Sequence, residues 1–425
     1  MPPAPSDNPA SPMRFSPLAP VLATYRAAFS GLPREIWLLC FTCFVNRAGT
    51  MVFPFLTLFL TQDRQLGVAA AGRLLAVYGL GSLAGSYVGG RLSDRIGSIR
   101  TQQLSLVGAG LGFLAVLVTH DLRWLAAVVF LTSLAGDAFR PAVMAAVARR
   151  APAGREGRSL ALLRLATNLG MTVGPAVGGF LAGFGYAWLF VVDAATCWLA
   201  ALLLQILLRP QGAVGVDARP PGAPARSPWA DRPFVLLMAM AFLLACVFFQ
   251  IFSTLPIHYR AAYRFAESTI GMVLGLNALL VVLFEMVVMH RVERRERLPL
   301  IAVGSVLVAS GLATLPLGST LPFALFSTLL WTAGEILSLP LLNALVADRA
   351  PAGAQGAYMG AYTMTFSAAF VVAPFAGTWA YEHLGADLLW LVIGLLAIPL
   401  LLGCAMLRGM LRRERQLAMA ARGAA

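Results

Sequence analysis

Long apolar segments separated by short polar breaks follow one another from Ile36 to Leu407. A helix needs about 20 predominantly apolar residues to cross the hydrocarbon core of a bilayer. Because the segments are apolar on every face, they predict spanning helices and exclude barrel strands, in which apolar and polar positions alternate. The twelve predicted spans are 36–60, 70–90, 101–119, 124–148, 159–182, 186–208, 233–257, 267–290, 298–318, 321–347, 357–380 and 386–407. The pattern therefore predicts an all-α membrane protein.

The composition indicates that lipid is the solvent for most of the chain. Of 425 residues, 59% are hydrophobic and 12% are charged, which excludes a soluble globular domain of this size. Arginine carries the net charge of +13, since the chain has no lysine. With a cytoplasmic N-terminus, most arginines fall in cytoplasmic loops, as the positive-inside rule requires. We expect a multi-pass protein of the bacterial inner membrane with both termini in the cytoplasm, and no nucleic-acid partner.

A segment rich in Pro, Gly, Ala and Arg separates the first six predicted helices from the last six. The predicted organisation is an N-terminal cytoplasmic segment 1–35, a six-helix bundle 36–208, a cytoplasmic linker 209–232, a second six-helix bundle 233–407 and a cytoplasmic tail 408–425. An internal repeat supports this division: Arg150-Ala151-Pro152 returns 199 residues later as Arg349-Ala350-Pro351, and Gly174-Pro175 returns as Ala373-Pro374. Two halves repeated in parallel place a substrate site between them, near the bilayer midplane.

The loop after the second span contains Gly90, Asp94, Arg95 and Gly97 in the spacing Gly-x-x-x-Asp-Arg-x-Gly. This spacing resembles the signature of the major facilitator superfamily, and the resemblance implies that the loop acts as an inward-side latch. An aspartate here suits the positive end of a neighbouring helix dipole. Ser98 and Ile99 stand where the family usually has two basic residues, so the end of the motif departs from its pattern. The alternative is an ordinary positively charged cytoplasmic loop.

The fifth span carries a dense run of small residues, formed by Gly170, Gly174, Pro175, Gly178 and Gly179. The run resembles the GxxxGPxxGG motif of proton-coupled drug antiporters of the superfamily, which implies export. Small residues permit close helix packing, and a proline frees a backbone carbonyl and bends the helix. The alternative is a packing face with no mechanistic role.

Five ionisable residues inside the predicted spans are candidates for the central cavity, because an ionised side chain at the bilayer centre costs about 2.5–3.5 kcal/mol. Asp137 and Arg140 are three residues apart on one helix face and can pair, and Arg47 could complete an Arg-Asp-Arg cluster. Glu335 has no basic residue within a turn of its own helix. Since burial favours a protonated carboxyl, Glu335 is the leading proton carrier, with a structural pair to an arginine of the other half as the alternative. Glu285 could pair with a loop arginine or take part in proton transfer.

The sequence lacks the motifs that ATP-driven transport or catalysis would need. A chain without lysine has no GxxxxGK[ST] phosphate loop, so the proton gradient is the expected energy source. Neither a metal site, a cofactor nor an obligate protein partner is implied. The sequence predicts a proton-coupled antiporter that exports small amphipathic or cationic compounds by alternating access. We therefore do not expect an enzyme. The alternatives are a symporter that takes up a nutrient or peptide and, more distantly, a membrane enzyme or receptor that does not transport.

Overall fold

The computed structural model describes residues 29–152, 155–208, 228–292, 295–351 and 354–423. Within these ranges, twelve helices are long and apolar enough to cross a membrane, which confirms the predicted fold class. Their bounds are α1 Arg34–Asp63, α2 Val68–Ile96, α3 Ser98–Val118, α4 Leu122–Arg150, α5 Glu156–Ala182, α6 Ala187–Leu207, α7 Arg232–Ser253, α8 Glu267–Val292, α9 Arg297–Leu317, α10 Leu321–Arg349, α11 Ala357–His383 and α12 Ala386–Glu414. Most of the predicted N-terminal segment and of the predicted linker lies outside the described residues.

Prolines explain where several spans are interrupted. The helix of α1 ends at Ala48 and resumes at Val52, before Pro54, and α4 is interrupted at Ala138, before Pro141. A proline cannot donate to the carbonyl four residues earlier and its ring clashes with that carbonyl, so the helix breaks in the preceding turn. The last helix, by contrast, continues to Gly423 through the predicted tail, because arginine, leucine and alanine favour helix.

The internal repeat is visible in the backbone of the first helix of each half. Gln65 and Arg264 are the two described non-glycine residues with positive φ, at 54° and 55°. The N–H of Leu66 donates to Leu60 O, and the N–H of Phe265 donates to Tyr259 O in the same way. All three correspondences have the spacing of 199 residues found in the sequence. The repeat therefore extends to α1 and α7.

The repeated arginines make equivalent ion pairs at the end of α4 and α10. Arg150 donates to Glu35 at the start of α1 at 2.9 Å, and Arg349 donates to Asp231 at the start of α7 at 2.6 Å. Burial alone would raise the pKa of Asp231, but the hydrogen bonds and the charge of Arg349 outweigh it and hold this pKa below its ordinary value. Each half is thus braced at the same corner.

We call the face of the bundle that contains Leu208 and Pro228 the linker face, and the other the opposite face. One hydrophobic cluster at the opposite face contains residues of both halves, including Phe55, Leu74, Ile251 and Trp390. Near the linker face, each half has a hydrophobic cluster of its own. The halves are therefore joined at the opposite face and separate toward the linker face.

Two seams between the halves close the opposite face, one between α2 and α11 and the other between α5 and α8. A Cβ added to Gly72 would lie 2.9 Å from Pro374 O, and one added to Gly271 would lie 2.3 Å from Pro175 O. Gly72 and Gly271 are 199 residues apart, as are Pro175 and Pro374. The two seams are thus the same contact, repeated by the internal symmetry.

Replacing Gly271 with valine is expected to force the halves apart at the opposite face, because the new side chain would overlap backbone atoms of α5. Overpacking costs about 1–3 kcal/mol, which changes the ratio of two conformations by about 5-fold to about 150-fold. Electron–electron double resonance between spin labels on Gln62 and Ala262, both exposed at the opposite face, should show a longer distance. Gly157→Val is the control, since a Cβ there meets no described atom within 4 Å. An unchanged distance in Gly271→Val would show that this seam does not hold the opposite face closed.

Candidate functional site

Charged side chains of both halves lie near one another toward the linker face, and we call the region between them the central cavity. Arg140 of α4 and Arg164 of α5 have exposed side chains although both residues lie well inside spanning helices. Their charges both act on Tyr362 of α11 in the other half. The cavity is thus lined by residues of both halves, as the repeat predicts.

Glu335 of α10 lies on the second-half wall of this cavity with neutral hydrogen-bond partners. The amide of Asn277 in α8 donates to Glu335 Oε2 at 2.8 Å and to the hydroxyl oxygen of Thr332 at 3.0 Å. In the described part of the chain, no arginine or histidine forms an ion pair with Glu335. The alternative interpretation, in which Glu335 forms a structural ion pair with an arginine of the other half, is therefore not found among the described residues.

Glu285 of α8 forms an ion pair, but not with a loop arginine. Its partner is Arg164 of α5 in the other half. The sequence-based expectation was wrong because a loop arginine is closer along the chain, whereas the α5–α8 seam brings Arg164 closer in space. The Glu285 side chain is 14% exposed and that of Arg164 is 53% exposed, so solvent reaches the pair from the cavity. This pair is a polar bridge between the halves below the glycine seam.

The predicted Arg47-Asp137-Arg140 cluster is looser than expected. Ala138 interrupts the hydrogen-bond pattern of α4 between Asp137 and Arg140, although its own backbone stays in the right-handed helical region. Among the described residues no ion pair joins the three side chains, although the charges of Arg47 and Asp137 both act on Arg140. The three charges are therefore near one another, but the direct pair between Asp137 and Arg140 is not formed among these residues.

An aromatic cluster closes the cavity at its inner end. Phe53 of α1 is 5.3 Å from Phe252 and 5.3 Å from Phe370, measured between ring centroids. Tyr78 lies 5.5 Å from Phe53, and Phe249 lies 4.9 Å from Phe370. Such a cluster offers apolar, polarisable surface to an amphipathic ligand.

The glycine motif of α5 forms two close helix contacts at once. Cβ atoms added to Gly170, Gly174 and Gly178 would meet α1 at 2.5 Å from Arg47 Cβ, 2.8 Å from Thr50 O and 2.9 Å from Met51 Cβ respectively. Gly179 faces α8, where an added Cβ would lie 2.4 Å from Glu267 O. The carbonyl oxygen of Pro175 also faces α8, where it packs against Gly271. The motif therefore presses α5 against the interruption of α1 and against the other half.

The loop motif lies at the linker face. Gly97 has a φ of 90°, a left-handed conformation that favours glycine. Gly89 packs on Ala138 of α4, whereas a Cβ on the motif residue Gly90 meets no described atom within 4 Å. The side chains of Asp94 and Arg95 are exposed, and none of the described residues bonds to Asp94. Asp94 therefore makes no latch contact among the described residues, and the inward-side latch stays a prediction.

Asp193 of α6 is a buried acid beside the interruption of α1. Its carboxylate accepts hydrogen bonds from the backbone N–H groups of Met51 and Val52 at 3.0 Å each. Its position 141 residues away along the chain gave no local signal of this contact. Within the described residues, no group of three or more His, Cys, Asp or Glu side chains could hold a metal ion.

Comparisons with known proteins agree with this architecture. The chain is 24% identical to multidrug resistance protein MdtH of Salmonella newport over 362 residues, covering 81% of this chain and 87% of that protein. It is 22% identical to a Na(+), Li(+), K(+)/H(+) antiporter of Planococcus maritimus over 373 residues, covering 78% and 85%.

A solved structure of the peptide transporter POT in complex with sulfate superposes with a TM-score of 0.76 at 15% identity, covering 92% of this chain and 98% of that chain. At this identity the likeness shows the fold. The sequence model of the Major Facilitator Superfamily matches residues 37–374. With twelve spanning helices in two repeated halves around one cavity, the chain belongs to the Major Facilitator Superfamily.

Proposed function

We propose that this transporter is a proton-coupled antiporter that exports small amphipathic or cationic compounds, with the linker face and both termini in the cytoplasm of a bacterium. The observation that carries the proposal is the environment of Glu335. This carboxyl lies on the wall of a cavity between two moving halves and is hydrogen-bonded by a neutral amide. A carboxyl without a fixed cation can exchange its proton for a cationic substrate, because either one neutralises the charge.

The polar and aromatic lining supports an amphipathic substrate. The aromatic cluster around Phe53 provides apolar surface at the closed end, and charged side chains lie toward the open end. A proton crossing a potential of about 100 mV releases about 2.3 kcal/mol, enough to shift the balance between two conformations of the bundle. Two relatives are named for multidrug resistance and for cation/proton antiport, which is consistent with this direction.

A symporter that takes up a nutrient or peptide is the second candidate. The observation in its favour is the basic first-half wall, where Arg47, Arg140 and Arg164 would suit a substrate with an anionic group. A superposed structure of the same fold is named as a peptide transporter.

Purified protein in liposomes with an imposed pH gradient separates the two candidates. We expect the lumenal pH to change when the lipophilic cation tetraphenylphosphonium is added, with protons moving opposite to the cation. The panel also contains antibiotics, dipeptides and sugars, and empty liposomes serve as the control. Proton movement in the same direction as a dipeptide or sugar would favour the symporter. If none of the added compounds causes proton movement, both candidates are contradicted.

Glu335→Gln is expected to abolish exchange driven by the pH gradient, by at least about 100-fold, because glutamine cannot carry a proton. The thermal unfolding temperature should change far less, since the amide can still bond to Asn277. Binding of tetraphenylphosphonium should weaken, because the neutral amide does not offset its charge. Glu414→Gln, which replaces an exposed acid outside the cavity, is the matched control. Driven exchange at the wild-type rate in Glu335→Gln would remove this residue from the mechanism.

Exchanging the charges of the Arg164–Glu285 pair tests whether this bridge matters for transport. Arg164→Gln and Glu285→Gln should each slow transport, since each leaves one charge in the cavity without its partner. Each single variant should lose only about 1 kcal/mol of unfolding free energy, because solvent screens the pair. The double variant Arg164→Glu, Glu285→Arg should recover part of the rate. If it transports no better than the worse single variant, the residues act separately rather than as a pair.

A further inference from the structure

The interruption of α1 lies directly beside a residue of the cavity wall. The first part of α1 ends at Ala48, one residue after Arg47, and the helix resumes at Val52. Any change in the path of the chain between these points would turn Arg47 relative to the rest of the cavity. The groups that fix this path are therefore able to control the cavity from a distance.

Two neighbouring helices, α5 and α6, hold this segment of α1 in place. Gly170 and Gly174 of α5 press against Arg47 and Thr50, and Thr196 of α6 lies so close to Gly49 that a Cβ there would be 1.8 Å from its hydroxyl oxygen. Asp193, one turn before Thr196, receives the N–H groups of Met51 and Val52. Asp193 supplies the charged hydrogen bonds of this contact, and such bonds are about twice as strong as neutral ones.

Asp193 is 2% exposed, and no arginine or histidine pairs with it in the described ranges. A buried carboxylate without a cation is costly unless hydrogen bonds compensate it. Here the compensation comes from backbone N–H groups that the interruption of the helix makes available. The carboxylate and the interruption therefore stabilise each other, and neither is expected to persist unchanged without the other.

The second half builds its corresponding interruption without a carboxylate. The helix of α7 is interrupted at Phe249, 200 residues after Gly49. Gln250 occupies the place of Met51, and its amide donates to Ala373 O at 2.9 Å. Val392 stands where the repeat places the counterpart of Asp193. Breaking the helix thus does not require a buried charge, and the charge is confined to the half in which the interruption follows Arg47.

We propose that Asp193 is a positioning residue, whose carboxylate fixes the interruption of α1 and thereby the direction in which Arg47 enters the central cavity. Asp193 does not touch the substrate in this arrangement and acts through α1. The inference rests on the proposed function only in treating the cavity as the place where substrate binds. The geometry of α1 itself is independent of the transported compound.

Hydrogen–deuterium exchange at residue resolution on the full-length protein in nanodiscs tests the geometric part. Asp193→Asn should speed exchange of the Met51 and Val52 amides by about tenfold, because an amide offers one acceptor oxygen in place of two. It should also speed exchange at Gly49 and Thr50, which Asp193 does not bond. Faster exchange only at Met51 and Val52 would mean a local bond that does not position the segment, and unchanged exchange would overturn the proposal.

Two further variants keep this test decisive. Asp121→Asn is the matched control, because Asp121 accepts from the N–H groups of Arg123 and Trp124 at the exposed start of α4. It should leave exchange at 49–52 unchanged, and an equal increase there would show general loosening instead. Asp193→Glu keeps the carboxyl group on a longer side chain and is expected to fold even if the asparagine variant does not. Its exchange rates at 49–52 should lie between those of the wild type and those expected for Asp193→Asn. Wild-type exchange in Asp193→Glu together with an unfolded asparagine variant would reduce Asp193 to a folding role.

A double-variant comparison of tetraphenylphosphonium transport in liposomes tests the link to Arg47. Asp193→Asn should raise the KM more than it lowers kcat, and adding it to Arg47→Gln should change the KM no further. Independent, multiplicative effects would contradict action through Arg47. If the wild-type protein moves no tetraphenylphosphonium, the proposed export function fails, whereas the exchange experiment still decides the role of Asp193 in α1.

Discussion

Close approach of backbone at the two seams is the contact on which the rest of the structure depends. Gly271 meets the Pro175 carbonyl directly, and Gly72 meets the side chain of Thr378 together with the Pro374 carbonyl. Lipid provides little hydrophobic drive for helices to associate, so such packing must supply the attraction. Both contacts lie at the opposite face, and below them the α5–α8 seam is joined by the polar Arg164–Glu285 pair. The tight apolar contact between the halves is therefore concentrated at one end.

The prolines in these seams bend their helices and also present their own carbonyls to the facing glycines. Proline leaves the carbonyl four residues earlier without its helical donor and bends the helix. In α5 and α11 the proline lies inside a continuous helix, so the bend is shared over several turns. The carbonyl of the proline itself is the atom that the facing glycine approaches most closely across the α5–α8 seam. A seam that is both tight and bent is suited to rocking about a fixed point.

The spanning helices were predictable from sequence because lipid forces a local signal, about 20 apolar residues for each span. The repeat was also predictable from a local signal, since Arg150 and Arg349 stand in identical short motifs. The partners of polar side chains were not. Glu285 was expected to meet a loop arginine and meets Arg164, and Asp193 contacts α1 from far along the chain. Such pairs depend on helix rotation and on proline breaks, which one sequence specifies only through packing against all neighbouring helices.

Symmetry of the backbone and asymmetry of the charges together explain how one scaffold can couple two ligands. The repeat gives both halves the same seam, the same corner brace and the same interrupted first helix. The cavity arginines do not follow the repeat, since Cys246 and Leu339 stand where it places the counterparts of Arg47 and Arg140. A symmetric frame has two equivalent ways to close, whereas a ligand bound to an asymmetric lining stabilises one of them more than the other. A proton on Glu335 and a substrate among the arginines would therefore act on the same equilibrium from different walls of the cavity.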